Sequence, residues 1–417
     1  MRKLFLNIPL FLFLLGLPVL LMTACKKDGD GDDGDKTIII AAGPNAADDA
    51  QTAFIEAENG TTIMFEEGTF SFINTLSIDG KSDIIIIGAG RDLTSLDFSA
   101  QTSGGDGVLA TNCVNLRFEN FTIRDSEGDA LKTRNCDRVS FVNVATVWSG
   151  TPSTTNGAYG LYPVLCSKVY IDNCYAYGAS DAGIYVGQSV DVIVKNSVAE
   201  GNVAGIEIEN TINADVFDNE AFDNTGGILV FDLPGLTQYG THVRVFNNNV
   251  HDNNRTNFAP AGNIVGTVPS GTGFMILSTN TVEIFNNEFD GNEFAGILVA
   301  SYLFVEPNPN DPNFQPLPYL ISIHDNTYSM TGNLNPVQPP AIADIVGLLA
   351  ANSYAQPYIL LDGIYAAPQV ICIQESNTPT FVNVNAYADP NGGEITDNMT
   401  PHDCTQPGLD AVSFDPF

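Results

Sequence analysis

Basic residues are scarce in this chain, with 16 Lys and Arg against 49 Asp and Glu. Two of them, Lys132 and Arg134, sit in the register of a repeated phrase that also carries Tyr162, Tyr185, Glu207 and Glu209. An ammonium, a guanidinium, two phenols and two carboxylates form a set suited to proton transfer beside a negative group. Elimination from a uronate sugar, or its C5 epimerisation, needs three groups. A base takes the proton next to the carboxylate, a cation holds that carboxylate, and an acid serves the leaving oxygen or the opposite ring face. Lys132 or Tyr185 suits the base, Tyr162 or Tyr185 the acid, and Arg134 the clamp. Asp129, Asp181 and Asp232, at the edges of the phrase, suit substrate contacts. Glu207 and Glu209, two residues apart on one strand face, could hold Ca²⁺, which takes carboxylate oxygens. That pair, roughly 7 Å apart, also meets the spacing of an inverting glycoside hydrolase. A different class of reading is a non-catalytic scaffold that presents the same wall to a glycan or a partner protein.

The elements that must position these groups repeat. Gly183-Ile184-Tyr185-Val186 returns as Gly205-Ile206-Glu207-Ile208 and Gly227-Ile228-Leu229-Val230, 22 residues apart each time. Related phrases start at Gly107, Ala130, Gly160, Gly273 and Gly296. A fixed period in the low twenties with one turn and an apolar-x-apolar strand per unit predicts a solenoid, whose coils bury their apolar faces by stacking. Asn120, Asn143, Asn173, Asn196, Asn219, Asn248, Asn287 and Asn326 mark one recurring turn, where Asn tolerates left-handed backbone and can bond the next coil. Cys113, Cys136 and Cys166 each fall six residues after the start of a phrase and are expected to stack as buried thiols.

Alternation along a strand then sorts the faces. With Ile184 and Val186 inward, one outward column reads Lys132, Tyr162, Tyr185, Glu207, Leu229, Met275 and Leu298. The next reads Arg134, Val164, Gly187, Glu209, Phe231 and Leu277. The outward face is expected to meet solvent, so an acid at Leu229 should cost little and an acid at Ile206 a great deal. Loops around residues 149–158, 233–241 and 253–270 border this wall, as binding loops on a rigid scaffold do.

Composition sets outer limits. A formal net charge of −33 argues against binding nucleic acid through phosphate neutralisation. No HExxH, CxxC, serine elbow or phosphate loop is present. His242, His251, His324 and His402 share no spacing and read as structural. Residues 1–24 have a charged start, Arg2-Lys3, an apolar run and small residues before Cys25. The segment resembles a bacterial lipoprotein signal, with Met22 where Leu is usual. That resemblance implies lipidation at Cys25 and anchoring in the cell envelope, at the outer membrane, with membrane contact through the lipid alone. Residues 25–36 are an acidic Gly/Asp tether with nothing to bury. Their Lys-then-acid start resembles surface-export tags of Bacteroidetes lipoproteins. An EF-hand reading fails, because Asp33 stands where Gly is needed and Ile39 where Glu is needed.

The early strands around Thr62–Phe65, Ile84–Ile87 and Thr94–Asp97, preceded by a helix within 45–58, resemble pectate-lyase-like right-handed parallel β-helices. The blocks 156–160, 181–189, 203–210 and 225–234 resemble a bacterial family known only as parallel β-helix domain proteins. The resemblance implies an all-β solenoid: an N-terminal helical cap at 37–60, the β-helix at 61–330 and a small C-terminal cap at 331–417. It assigns no chemistry. Cys372 and Cys404 lie outside the thiol column and, in an oxidising compartment, are expected to form a disulfide. The expected partner is a polysaccharide, with an envelope protein as a further candidate.

Overall fold

The computed structural model describes residues 36–335, 337–366, 370–386 and 394–416. The signal segment and Cys25 lie outside the described residues. Each repeat supplies three short strands, and each strand pairs in parallel with its equivalents one coil before and one coil after. Three sheets result. The first has 12 strands, from Lys36–Ile40 to Ile371–Gln374. The second has 11, from Asn74–Asp79 to Phe381–Asn383, and the third has 10, from Gly68–Ser71 to Thr327–Ser329. Register stacks like on like: Ile184 pairs with Ile206, and Ile206 with Ile228. All three are fully buried. At about 4.8 Å between coils, each aliphatic side chain touches its own copy above and below.

The thiol column is present. Cys113, Cys136 and Cys166 are buried and free, and Ser189 and Thr211 continue the column by bonding the backbone of the coil before (3.1 and 3.4 Å). The asparagines need correction. Asn120, Asn143, Asn173 and Asn196 have left-handed backbones, φ 62, 53, 56 and 50°. Asn219, Asn248, Asn287 and Asn326 stand one residue later in the coil and are buried. The step from Asn196 to Asn219 is one residue longer than a coil, so a single run of Asn crosses from a turn column to an interior one. In the interior column each amide bonds the next at 2.9–3.0 Å, and Glu375 closes the line on Asn326 at 3.0 Å. A second ladder, Asn202, Asn224, Asn253 and Asn292, runs beside it at 2.9–3.1 Å.

The N-terminal end is covered by a helix. Helix α1, Ala46–Glu56, buries Ala46, Ala50, Ala53 and Phe54 against the first strands of all three sheets. Phe54 meets Phe65 edge-on at 6.5 Å. At the other end the ladders run past residue 330, through Ile359–Leu361, Ile371–Gln374 and Phe381–Asn383. Long irregular insertions hide these last strands in the sequence. Cys372 and Cys404 are disulfide-bonded, with 4.9 Å between Cα atoms. From there the chain turns back as a strap along the first sheet. Leu409 N–H donates to Glu283 (3.0 Å), Val412 N–H to Asp215 (3.1 Å), and Ser140 Oγ donates to the Pro416 carbonyl (2.7 Å).

The outward face of the second sheet departs from expectation. From Leu229 onward it is a second apolar core, in which Leu229, Phe231, Met275, Leu277 and Leu298 are buried with Val265, Val268, Phe314, Ile342 and Leu349. The loops after 253 and 301 and helix α2, Pro340–Ala351, cover it. Alternation gave the facing correctly, but inserted segments, whose docking has no period, removed the solvent.

Candidate functional site

The site wall begins where that cover ends. Stacking aligns Lys132 with Tyr162, Tyr185 with Glu207, and Gly187 with Glu209. A third outward column starts the strands. Asp106 sits one coil before Asp129, whose carbonyl accepts from Gly107 N–H at 2.8 Å, and Tyr159 follows in the next coil. Three rings pack together here: Tyr159 lies 4.4 Å from Tyr162 and 4.6 Å from Tyr185, and Tyr162 lies 4.9 Å from Tyr185. Tyr185 lies down along its strand because residue 187 is glycine. A Cβ there would come within 2.3 Å of the phenol oxygen. Lying flat, Tyr185 donates to Glu209 at 2.6 Å.

The wall has two halves. In the first, Lys132 donates to Asp129 at 3.0 Å, approaches Asp106 at 3.9 Å and lies 4.5 Å over the Tyr162 ring. These three side chains keep 24, 13 and 20 % of their surface, in the order Lys132, Asp129, Asp106. Arg134 is exposed and makes no ion pair among the described residues. Burial, followed by the charge of Asp129 working against that of Lys132, pushes Asp106 up to about 6. Burial and the neighbouring carboxylates raise the Tyr162 phenol, so it stays protonated. Lys132 is thus engaged by two carboxylates and a ring face, which leaves Asp106 as the group beside it with raised basicity.

In the second half the side chains are sealed. Asp181, Tyr185 and Glu207 are buried, and Glu209 is partly exposed. Asp181 accepts from Asn263 of the 253–270 loop at 2.9 Å and from Tyr159 at 3.4 Å. Burial pushes Asp181 up to about 7. Burial, then Asp181 and Glu209, hold Glu207 protonated far above the usual carboxylate range. Glu207 Oε2 is buried without a hydrogen-bond partner among the described residues. Glu209 bonds Tyr185, and among the described residues no three His, Cys, Asp or Glu side chains converge as a metal cage. Asp232 stands apart. It accepts from Gly240 N–H at 2.8 Å and closes the 233–240 loop, and burial pushes it up to about 8.

The structure thus gathers Lys132, Asp129, Tyr162, Tyr185, Asp181, Glu207 and Glu209 onto one wall, with Arg134 at its edge. It adds Asp106, Tyr159 and Asn263, which sequence reasoning missed. Asp106 had a signal, since Gly105-Asp106 repeats as Gly128-Asp129. Asn263 had none, because its loop has no period.

With this geometry in hand, the comparisons place the architecture. A family model described as a right-handed beta helix region matches residues 153–308. Among solved structures, a DFA-IIIase variant from Arthrobacter chlorophenolicus aligns with a TM-score of 0.53 and 12% identity, over 86% of this chain and 98% of that one. A hyperthermoactive exopolygalacturonase from Thermotoga maritima aligns with a TM-score of 0.51 and 10% identity, over 70% and 81%. The mannuronan C-5 epimerase A-module from Azotobacter vinelandii aligns at 0.49 with 14% identity, over 79% and 91%. No curated protein matches the sequence. The chain is a right-handed parallel β-helix. At these identities the likeness defines the fold and leaves the chemistry to the site.

Proposed function

We propose that this protein acts on an acidic polysaccharide at the Lys132–Tyr162 half of the wall, as a uronate lyase or C5-epimerase. One observation carries the reading. Asp106 and Asp129, two carboxyls at the same position of successive coils, flank Lys132 at 3.9 and 3.0 Å and stay partly open to solvent, with exposed Arg134 two residues past Lys132 on the same strand. Arg134 pairs with the sugar carboxylate and takes up charge as the neighbouring C–H bond breaks. Asp106, raised to about 6 by burial, receives that proton. Tyr162, held protonated, donates to the leaving oxygen or to the opposite ring face. Ca²⁺ remains a candidate aid rather than an assigned ligand. The exopolygalacturonase named above acts on an acidic polymer by its printed name, in keeping with this reading.

A second reading rests on the same pair. Two neighbouring carboxyls are also the equipment of a glycoside hydrolase. Incubation of the mature, unlipidated protein with alginate, pectate and other uronate polymers separates the cases. Unsaturated product absorbing in the ultraviolet marks elimination, new reducing ends without it mark hydrolysis, and deuterium uptake at C5 marks epimerisation. None of the three with any polymer would leave a non-catalytic binding scaffold.

We further propose a lipid-anchored envelope location. Cys25→Ser is expected to move the protein from the detergent phase to the aqueous phase, and equal partitioning would overturn the anchor.

A further inference from the structure

The outward face of the second sheet changes character at one coil. In Asn74–Asp79 and Leu131–Arg134 buried and accessible residues alternate, as on a sheet with one wet face. Tyr159–Val164 still exposes part of Tyr159 and Tyr162. From Ala182–Gly187 onward that alternation is gone. Gly226–Phe231, Thr272–Leu277 and Ala295–Ala300 are buried throughout, and Ala204–Glu209 is buried except at Glu209. The wet stretch ends one coil past Tyr162, and a fixed part of the fold ends it. Val268 lies so close on the sheet that a Cβ at Gly226 would come within 2.9 Å of it. Asn257 donates to the Val265 and Val268 carbonyls at 2.8 and 3.0 Å, and Asn263 pins the loop tip to Asp181 at 2.9 Å.

At its other end the stretch runs out into a cleft. Helix α1 and the turn before Asn74 enclose about 360 Å³ between Ala47, Asp48, Gln51, Ile73, Asn74 and Thr75. Gln51 holds the helix there, donating to the Ser77 carbonyl at 3.0 Å and accepting from its N–H at 3.1 Å. Thr75, in the cleft wall, donates to the Asp106 carbonyl at 2.5 Å, so the cleft adjoins the Asp106–Lys132 centre. Leu109, Lys132 and Tyr162 stack in register along the axis. A linear chain meets them in succession only by lying along that axis. So laid, it passes from the cleft over Lys132 and strikes the 253–270 loop two coils further on, about 10 Å away.

We propose that this stretch is a groove closed at one end, which takes the terminus of a linear glycan and not its interior. The protein therefore acts from chain ends, and the 253–270 loop sets that specificity. The chain terminus lies against Tyr159 and Tyr162, and the rest of the chain leaves through the cleft beside helix α1. The acidic nature of the chain rests on the uronate reading above, whereas the closed end rests on the cover alone.

Tagged chain ends test the groove without turnover. Size-defined oligosaccharides of alginate, pectate and a neutral glucan are prepared in two sets, with a bulky fluorophore on the reducing end or on the non-reducing end. Binding to the mature protein is read by fluorescence polarisation, and polymer turnover by viscosity against product release. One tag position is expected to abolish binding while the other is tolerated, and products should accumulate with little early loss of viscosity. Replacing the tip Pro260–Asn263 by a shorter glycine turn should let the excluded tag bind. Asp48→Trp, on the exposed face of helix α1, fills the cleft. It should weaken long oligosaccharides more than the shortest and leave Tm near wild type. Equal binding of both tagged sets, or a rapid fall in viscosity from cuts in mid-chain, overturns the closed end. An end preference that survives the shortened tip overturns the role of the loop. End-selective binding of the neutral glucan alone retires the uronate reading and leaves the closed groove standing. Mid-chain turnover of a uronate polymer does the reverse, and binding of no tagged set overturns both.

Discussion

At the scale of single residues, neighbours decide what each acid can do. Asp106 stays partly exposed beside Lys132 with its basicity raised, so Asp106→Asn should lower turnover about 10²- to 10⁴-fold, the usual worth of a positioned acid or base. Its Tm should remain near wild type, and full activity on an identified polymer would remove Asp106 from the mechanism. Arg134→Ala should weaken binding of uronate oligosaccharides and leave uncharged ones unaffected, since the guanidinium is exposed and has no ion pair among the described residues. The inward and outward columns give a stability test. Ile206→Asp places an unpaired charge in the solenoid core. Leu229→Asp does the same in the outer core, where Leu229 is fully buried. Both should therefore cost more than about 4 kcal/mol, in the range seen for uncompensated buried charges. A mild Leu229→Asp in denaturant melts would mean the loops do not seal that face. Lys132, Tyr162 and Glu207 were legible as one column because register follows the repeat. Their burial was not, because it depends on which loop lies above each coil.

At the scale of elements, the two asparagine columns predict different losses. Asn248 donates to Asn287 and to the Val216 and Phe246 carbonyls while accepting from Asn219. Asn248→Ala leaves several buried groups unpaired and should cost at least about 1–3 kcal/mol. Asn196 sits in the turn column with φ 50°. There Asn196→Gly should be nearly neutral, since glycine adopts that backbone freely. Melting curves ranking Asn196→Gly as the more damaging would sink the two-column assignment. The strap belongs to this scale too. Removing residues 405–417 takes backbone donors from Glu283 and Asp215, at about 1–3 kcal/mol for each carboxyl left short. A truncated chain with unchanged Tm would show the strap to be ornamental.

At the scale of the whole molecule, buried acids set the response to pH. Burial raises Asp106 to about 6, Asp181 and Asp362 to about 7 and Asp232 to about 8, against an ordinary value of 3.8. The folded state therefore holds protons that the unfolded chain releases above about pH 4. Between that point and about pH 8 the folded state binds more protons, so stability falls as pH rises. Relief of self-repulsion in a chain of net charge −33 acts in the same direction on acidification. Tm should be higher near pH 5 than near pH 8, and Asp232→Asn should flatten the upper part of the slope. A Tm that climbs with pH would contradict this. The period-22 phrase alone determined the solenoid, the parallel register and the columns, because stacking identical coils places equal positions one above another. The tertiary structure alone decided which stretch of wall is open, which of two Asn columns is interior, and that Asn263 meets Asp181 across 82 residues. Those facts depend on insertions that dock by shape and hydrogen bonding, and such docking leaves no periodic trace in a sequence.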